Sequence, residues 1–182
     1  YELLTTDKSA LGILLQFESE PNSRHAKTVK LNTVANYAPN EPVIGFIGAG
    51  NYASRMLIPA FKEAGAKFQS ISTSGGINGV IHGEKAGFSE ATTDTQAMIN
   101  DPNINTVAIV TRHNSHAYFV QEALKAGKNV FVEKPLAISH EELSEVEAVY
   151  NEAIKVESAP KLMVGFNRRF SPQVQKMKQL LE

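Results

Sequence analysis

The chain has 182 residues, of which 42% are hydrophobic and 20% are charged, and its formal net charge is −1. This length suits one domain, and the absence of cysteine excludes disulfides, thiolate zinc sites, iron–sulfur clusters and cysteine nucleophiles. The near-zero charge gives no field that would attract nucleic acid, and no apolar run approaches the roughly 18 residues of a membrane-spanning helix. We therefore expect neither nucleic acid nor membrane as a partner, and we predict no metal site.

The first 42 residues differ from the rest in composition and in hydrophobic pattern. The apolar run Ala10–Phe17 (ALGILLQF) predicts a buried strand. Residues 19–42 are polar and have the composition of a linker, with a short extended segment at Thr28–Leu31. Because the chain begins at Tyr1 without a signal-peptide pattern, we expect it to be an excised piece of a longer cytoplasmic polypeptide. The lack of cysteine fits a reducing compartment.

From residue 43 onward, short apolar strands alternate with helices. The predicted strands are Val43–Ile47, Lys67–Thr73, Thr106–Thr111, Asn129–Glu133 and Lys161–Phe166. The predicted helices are Tyr52–Ala64, Ile77–Ala86, Thr93–Asn100, Ser115–Ala126, Ser139–Glu157 and one that begins at Pro172. Strands that are almost continuously apolar are typical of a parallel sheet with both faces covered. The pattern predicts a three-layered, doubly wound α/β fold.

Individual residues predict how the helices begin and end. Pro59 should kink or shorten the first helix, because proline lacks the N–H that continues an α-helix. Ser115 and Ser139 are predicted as N-caps, the latter in a capping box with Glu142. Thr93 or Asp94 should cap the helix that precedes the third strand.

The first candidate site is Gly48-Ala49-Gly50-Asn51-Tyr52-Ala53, which fits the dinucleotide fingerprint G-x-G-x-x-G/A. The first glycine permits the tight turn, the second lets a pyrophosphate approach the backbone, and the helix N-terminus favours phosphate. The motif stands between a predicted strand and a predicted helix, as it should. We therefore predict that Gly48, Gly50, Asn51 and Tyr52 bind a dinucleotide; a plain strand–helix turn is the alternative.

The end of the second predicted strand should contact the adenosine ribose. Sites for NAD usually carry Asp or Glu there, whereas this chain has Ser72-Thr73-Ser74-Gly75. The hydroxyls of Ser72 and Ser74 and the nearby backbone N–H groups could accept a 2′-phosphate, with Lys85 reaching over from the next helix. This favours NADP slightly over NAD, although these residues could also form only a turn.

Three further polar clusters follow strand ends, where open α/β sheets bind their ligands. Thr111, Arg112, His113 and His116 offer donors to phosphate, ribose or amide; the alternative is a polar loop in which Ser115 caps a helix.

Glu133 precedes Lys134, which could hold a proton near a reacting hydroxyl or carbonyl if burial or a cationic neighbour lowered its pKa; a surface ion pair is the alternative. Arg168 and Arg169 suit anion recognition or form a solvated basic pair.

Four segments together resemble the Gfo/Idh/MocA oxidoreductases: GFIGAGNYA at 45–53, IVTRHNSH at 109–116, AGKNVFVEKPLA at 126–137 and GFNRRFSP at 165–172. The resemblance covers about residues 43–182. It implies a Rossmann domain that binds NAD or NADP and transfers hydride to or from sugars, polyols and related small molecules.

The resemblance also implies roles for single residues. Gly48 and Gly50 would flank the pyrophosphate, and Thr111 and His116 would lie along the cofactor toward the nicotinamide. Glu133 would lie near the nicotinamide ribose, Lys134 would contact substrate and assist proton transfer, and Arg168 and Arg169 would lie near the cofactor or the substrate mouth.

Two departures from the family pattern affect the domain assignment. Arg112 stands where family members often have proline, and the TRHNSH form resembles a subgroup fused behind a zinc-type alcohol dehydrogenase domain. Residues 1–18 would then be the remnant of that domain, 19–42 a linker and 43–182 the Rossmann domain. The family's C-terminal substrate domain, through which homo-oligomers could form, would be absent, so we expect cofactor binding without turnover.

An alternative function is a non-catalytic NAD(P)-binding sensor or interaction module. Lys134 disfavours it, because a pure sensor has no obvious need for a lysine that handles a proton. A Rossmann methyltransferase would account for neither Lys134 nor the two arginines.

Overall fold

The computed structural model describes residues 26–32, 37–38 and 41–181. The predicted strand Ala10–Phe17 and the predicted remnant 1–18 lie outside the described residues, as does most of the predicted linker. The strands are β1 (Thr28–Lys30), β2 (Val43–Ile47), β3 (Lys67–Ser72), β4 (Glu90–Thr92), β5 (Thr106–Ile109), β6 (Asn129–Glu133) and β7 (Leu162–Gly165).

Within the described residues these strands form one seven-stranded sheet in the order β1-β4-β3-β2-β5-β6-β7. All neighbours from β4 to β7 are parallel, and only β1 runs antiparallel, against β4. Without β1, the order is the 3-2-1-4-5-6 arrangement of dinucleotide-binding sheets, whose strand order reverses between β2 and β5. The predicted doubly wound α/β fold is confirmed.

The helices are α1 (Ile58–Glu63), α2 (Ile77–Ala86), α3 (Thr95–Ile99), α4 (His116–Lys125), α5 (His140–Ala153) and α6 (Pro172–Leu181). Two buried clusters lie on the two faces of the sheet. Along β5, Val107 and Ile109 belong to one cluster and Ala108 to the other, because successive strand side chains point to opposite faces. Among the helices described, none is long and apolar enough to cross a membrane.

The extended segment predicted at Thr28–Leu31 is strand β1, paired so that Thr28 lies opposite Thr92. Its partner β4 was not predicted, because it is only three residues long and two of them are polar. Part of the predicted linker is therefore the edge strand of the sheet.

The first helix accommodates Pro59 with one wider helical turn directly before the proline. Residues Ala53–Leu57 form a π-helical turn in which the Ile58 N–H donates to the Ala53 carbonyl, and α1 continues from there. This relieves the clash that the proline ring would make with the carbonyl four residues earlier. The predicted kink thus takes the form of a π-turn directly behind the glycine motif.

All three predicted residues occupy N-cap positions, and two of them make the side-chain cap bond. Asp94 accepts a bond from the Ala97 N–H, and Ser139 accepts one from the Glu142 N–H. Ser115 makes no side-chain cap bond; its hydroxyl donates instead to the Arg112 carbonyl, 2.9 Å away. The Ser115 hydroxyl thus bonds within its own loop rather than to the α4 N–H groups.

The side chain of Lys128 is buried and hydrogen-bonds to two backbone carbonyls. Its Nζ donates to the carbonyl oxygens of Asp101 at 2.8 Å and Ile104 at 2.7 Å. Burial lowers the pKa of Lys128 from its ordinary value, and Asp101 raises it in partial compensation.

We expect Lys128→Met to lower the free energy of unfolding by about 2 kcal/mol at pH 7, because two buried carbonyls lose their donor. Since the native pKa lies below the unfolded value of 10.5, the unfolded chain holds more protons between the two values. The wild type therefore gains stability relative to the variant as pH rises toward 10.5. Urea unfolding of both proteins between pH 7 and pH 10.5 measures the loss of stability in the variant and its dependence on pH. Lys125→Met, at an exposed ion pair, should change stability by less than about 0.5 kcal/mol.

Candidate functional site

The predicted site residues share one edge of the sheet. The glycine motif follows β2, Thr73 and Ser74 follow β3, the Arg112 loop follows β5, Lys134 follows β6 and Asn167 follows β7. Since these strands are parallel, their carboxyl ends lie together. The crevice between β2 and β5, where the strand order reverses, is the place at which such sheets bind ligands.

Gly48 holds the turn after β2 in a conformation that requires glycine. Its φ is +105°, and a Cβ there would lie 2.5 Å from the Val110 carbonyl oxygen. The Gly48 N–H donates to the Ser72 carbonyl at 2.8 Å, which ties the turn to the end of β3. Backbone from β2, β3 and β5 thus meets here with no room for a side chain.

Gly50 has the opposite environment. A Cβ built on it would meet no heavy atom within 4 Å, and the residue is exposed. The helical segment begins next to it, at Asn51, where the first N–H groups of a helix have no partner within the helix. The space above Gly50 is open to a group that could accept these bonds.

Tyr52 links the glycine motif to the loop after β7. Its hydroxyl accepts a 2.8 Å bond from the Asn167 side-chain amide, across 115 residues of sequence. Arg168 and Arg169 follow directly and are exposed, and the Arg169 guanidinium lies 4.8 Å from the Phe170 ring centre. The role of Asn167 was not predicted; a polar residue directly after a strand was the only signal for it.

The residues after β3 do not all face solvent. Ser72 is fully buried, and its hydroxyl lies 2.6 Å from that of Thr95, whereas Ser74 is exposed. Lys85 lies in the last turn of α2, about 12 Å along the helix axis from Ile77. The expectation that Lys85 reaches the Ser74 loop is therefore wrong.

The loop after β5 is tied together by its own side chains. The hydroxyls of Thr111 and Ser115 lie 2.6 Å apart, while Arg112 and His113 are exposed. The loop thus presents Arg112 and His113 to solvent on a fixed backbone.

His116 is fully buried and lies between two loops. Its Nδ1 is 2.7 Å from the Pro135 carbonyl oxygen and its Nε2 is 3.1 Å from the Thr111 carbonyl oxygen. The ring therefore joins the loop after β5 to the loop that carries Lys134. Both nitrogens contact protein, so a contact between His116 and a cofactor stays a prediction.

Glu133 and Lys134 diverge at the end of β6. Glu133 is 9% exposed, and its Oε2 accepts a 3.3 Å bond from the Lys134 N–H. Its buried Oε1 has no hydrogen-bond partner among the residues that the structure describes. A Cβ on Gly165 would lie 2.8 Å from that Oε1, so the glycine leaves room for the carboxylate.

Lys134 is exposed, so the burial that we considered for it is not found. It lines a cavity of about 440 Å³ together with Leu143 and Phe166. None of the ion pairs within residues 26–32, 37–38 and 41–181 involves Lys134. A surface ion pair between Glu133 and Lys134 is therefore not formed.

Two observations test whether a dinucleotide fits this edge. The open space at Gly50 adjoins a helix start, which suits a pyrophosphate. The buried, unpartnered Oε1 of Glu133 is an acceptor that needs a donor, since buried polar atoms are normally hydrogen-bonded, and a ribose hydroxyl is such a donor. The residues present fit the group.

Comparisons with known proteins agree with this geometry. The Gfo/Idh/MocA family model, described as "Oxidoreductase family, NAD-binding Rossmann fold", matches residues 43–160. The myo-inositol 2-dehydrogenase of Thermotoga maritima is 36% identical over 99 residues, which are 54% of this chain and 28% of that protein. The 1,5-anhydro-D-fructose reductase of Ensifer adhaerens is 28% identical over 109 residues, which are 60% of this chain and 33% of that protein.

Among solved structures, biliverdin reductase from Synechocystis sp. PCC 6803, in complex with biliverdin and NADP+, superposes with a TM-score of 0.66 at 26% identity. The match covers 77% of this chain and 42% of that one. The match with these two curated relatives thus covers only about a third of their length.

Proposed function

Because the chain belongs to the Gfo/Idh/MocA oxidoreductase family, with its NAD-binding Rossmann fold, we propose that it serves hydride transfer between a nicotinamide cofactor and a sugar, polyol or related small molecule. The predicted NAD(P)-binding Rossmann domain is confirmed. The observation that carries the proposal is the fit of the β2–β5 crevice, where open space at Gly50 and a buried free acceptor on Glu133 share one sheet edge.

Each part of the crevice would hold a different part of the dinucleotide. The turn at Gly48 and Gly50 and the helix start at Asn51 and Tyr52 would hold the pyrophosphate, since backbone N–H groups converge there. Ser72 and Ser74 would lie at the adenosine end. Glu133 would accept a hydrogen bond from the nicotinamide ribose. The approach would be lined by the half-buried Thr111 and by four exposed residues, Arg112, His113, Arg168 and Arg169.

Lys134 is proposed as the catalytic residue. The bound nicotinamide supplies the hydride acceptor or donor. An exposed ammonium in a concave, mostly apolar surface can give a proton to a carbonyl oxygen as hydride arrives, or take one from a hydroxyl as hydride leaves. His116 holds the backbone next to this lysine through the Pro135 carbonyl, at 2.7 Å.

Sugars and polyols are proposed as substrates from two lines of support. Two relatives are named as an inositol dehydrogenase and an anhydrofructose reductase. The cavity beside Lys134, with Phe166 and Leu143 in its walls, could take a ring of that size. A homo-oligomer, a cytoplasmic location, the absence of nucleic acid as a partner and a zinc-type dehydrogenase domain preceding residue 19 remain predictions.

The direct test is cofactor binding. The chain has no tryptophan, so NADPH or NADH fluorescence can be followed with little protein background. We expect saturable enhancement with at least one cofactor. A folded sample that binds neither NADPH nor NADH would refute the proposed site.

For Lys134→Ala we expect cofactor affinity to stay within about twofold, because the lysine is assigned to substrate. In any form of the protein that turns over a polyol, kcat should fall by about 100-fold, the usual contribution of a positioned acid or base. Lys161→Ala, an exposed lysine at the other end of the neighbouring strand, serves as control. Unchanged turnover in Lys134→Ala would reject catalysis by this residue.

A further inference from the structure

The adenosine end of the crevice lacks a charged residue in its own loop. No acid or base occurs among Ser72, Thr73, Ser74 and Gly75, and Lys85 lies at the far end of α2. The choice between NAD and NADP ordinarily depends on a charged group here: a carboxylate binds the ribose hydroxyls of NAD, and a cation accommodates the 2′-phosphate of NADP.

Strand β1 brings a lysine to this edge from outside the family match at 43–160. The Lys27 carbonyl accepts the Thr93 N–H at 2.8 Å and the Thr92 hydroxyl at 3.1 Å. The antiparallel pairing of β1 with β4 places Lys27 just beyond Thr92. The backbone of Lys27 is therefore fixed at the carboxyl end of the sheet.

The Lys27 side chain borders the same cavity as the loop after β3. A cavity of about 420 Å³ is lined by Lys27, Gly75, Gly76 and Thr93 among others. A Cβ on Gly75 would meet nothing within 4 Å, so a ligand can approach its backbone. The side chain of Lys27 is 70% exposed, which leaves its ammonium at the rim.

The acid that pairs with Lys27 is Asp94, and both of its oxygens are engaged. Asp94 accepts the Lys27 ammonium at 2.9 Å through Oδ2 and the Ala97 N–H at 3.1 Å through Oδ1. With both oxygens in use, Asp94 is a poor partner for the two ribose hydroxyls of NAD. A phosphate, in contrast, would find in Lys27 a cation whose other hydrogen-bond positions face solvent.

We propose that Lys27 determines cofactor choice by binding the 2′-phosphate of NADP above Gly75, so that the domain prefers NADP to NAD. The proposal rests on the proposed cofactor site. It adds to that site Lys27, the residue directly before β1, which the family match at 43–160 does not include. The interaction is charge-assisted but exposed, so we expect a preference of about three- to tenfold for NADPH over NADH, and it should weaken as salt rises.

The test is a fluorescence titration with NADPH and NADH, with 2′,5′-ADP and 5′-AMP as competing probes. In Lys27→Ala the NADPH Kd should rise about three- to tenfold while the NADH Kd stays within about twofold, and Lys27→Arg should restore the preference. Lys30→Ala is the matched control, since Lys30 lies three residues further along, at the end of β1, has a similarly exposed side chain and pairs with Glu90. It should change neither Kd.

A second variant moves the preference in the opposite direction. Asp94→Asn keeps an oxygen to cap α3 but releases the Lys27 ammonium, so it should tighten NADPH while leaving NADH unchanged. Equal affinities for NADPH and NADH in the wild type, or a ratio that neither Lys27→Ala nor Asp94→Asn changes, would overturn the role of Lys27 and leave the cofactor site intact. Binding of neither cofactor by the folded wild type would overturn both.

Discussion

Gly48→Ala is expected to lower the free energy of unfolding by about 3 kcal/mol or more. A left-handed conformation costs a residue with a Cβ about 1–2 kcal/mol, and Gly48 has φ +105°. The new methyl would also lie 2.5 Å from the Val110 carbonyl oxygen. Backbone cannot give way as a flexible side chain can, so overpacking adds about 1–3 kcal/mol. Urea unfolding measures the loss.

Gly50→Ala is the matched control for this prediction. It lies two residues away, in open space and without a positive φ, so stability should change by less than about 1 kcal/mol. Cofactor binding should weaken, because the methyl would occupy the space assigned to the pyrophosphate. Equal stability losses in the two variants would contradict the account of Gly48. Unimpaired NAD(P)H binding by Gly50→Ala would place the pyrophosphate elsewhere.

The core of the fold could be predicted because its signals are local. Helix α2 has the predicted bounds, Ile77–Ala86, since Gly76 and Gly87 flank it in conformations with positive φ. Strand β6 likewise matches its apolar run. The extended segment predicted at Thr28–Leu31 is strand β1. Strand β4 carries no such signal, because it is only three residues long and depends on its neighbours for pairing.

The sequence predicted which residues lie at the site, but it did not predict the contacts among them. Every motif after a strand lies on the expected edge, because parallel strands bring their carboxyl ends together. The burial of Glu133 beside Gly165 depends on a residue 32 positions away on the adjacent strand, and residue types alone do not encode that. Lys27 belongs to a segment with linker composition, so no pattern indicated that it would reach the adenosine end.

The structural role of His116 leads to the second large effect. His116→Ala should destabilise the domain by about 3 kcal/mol or more, because it removes a fully buried ring and with it the N–H donor of at least one of the two neighbouring carbonyls, those of Thr111 and Pro135. Each unsatisfied carbonyl costs about 1–3 kcal/mol, and the cavity adds to this. His116→Gln, which keeps one donor, should recover part of the loss in urea unfolding.

His113→Ala provides the comparison within the same loop. The two imidazole rings lie 5.7 Å apart, but His113 is exposed, so its loss should change stability by less than about 0.5 kcal/mol. If His116 joins the loops after β5 and β6, NAD(P)H affinity should fall in His116→Ala even where the variant is fully folded, and His116→Gln should restore part of it. A folded His116→Ala with unchanged affinity would restrict the ring to packing, since the loops after β5 and β6 would then keep their positions without it.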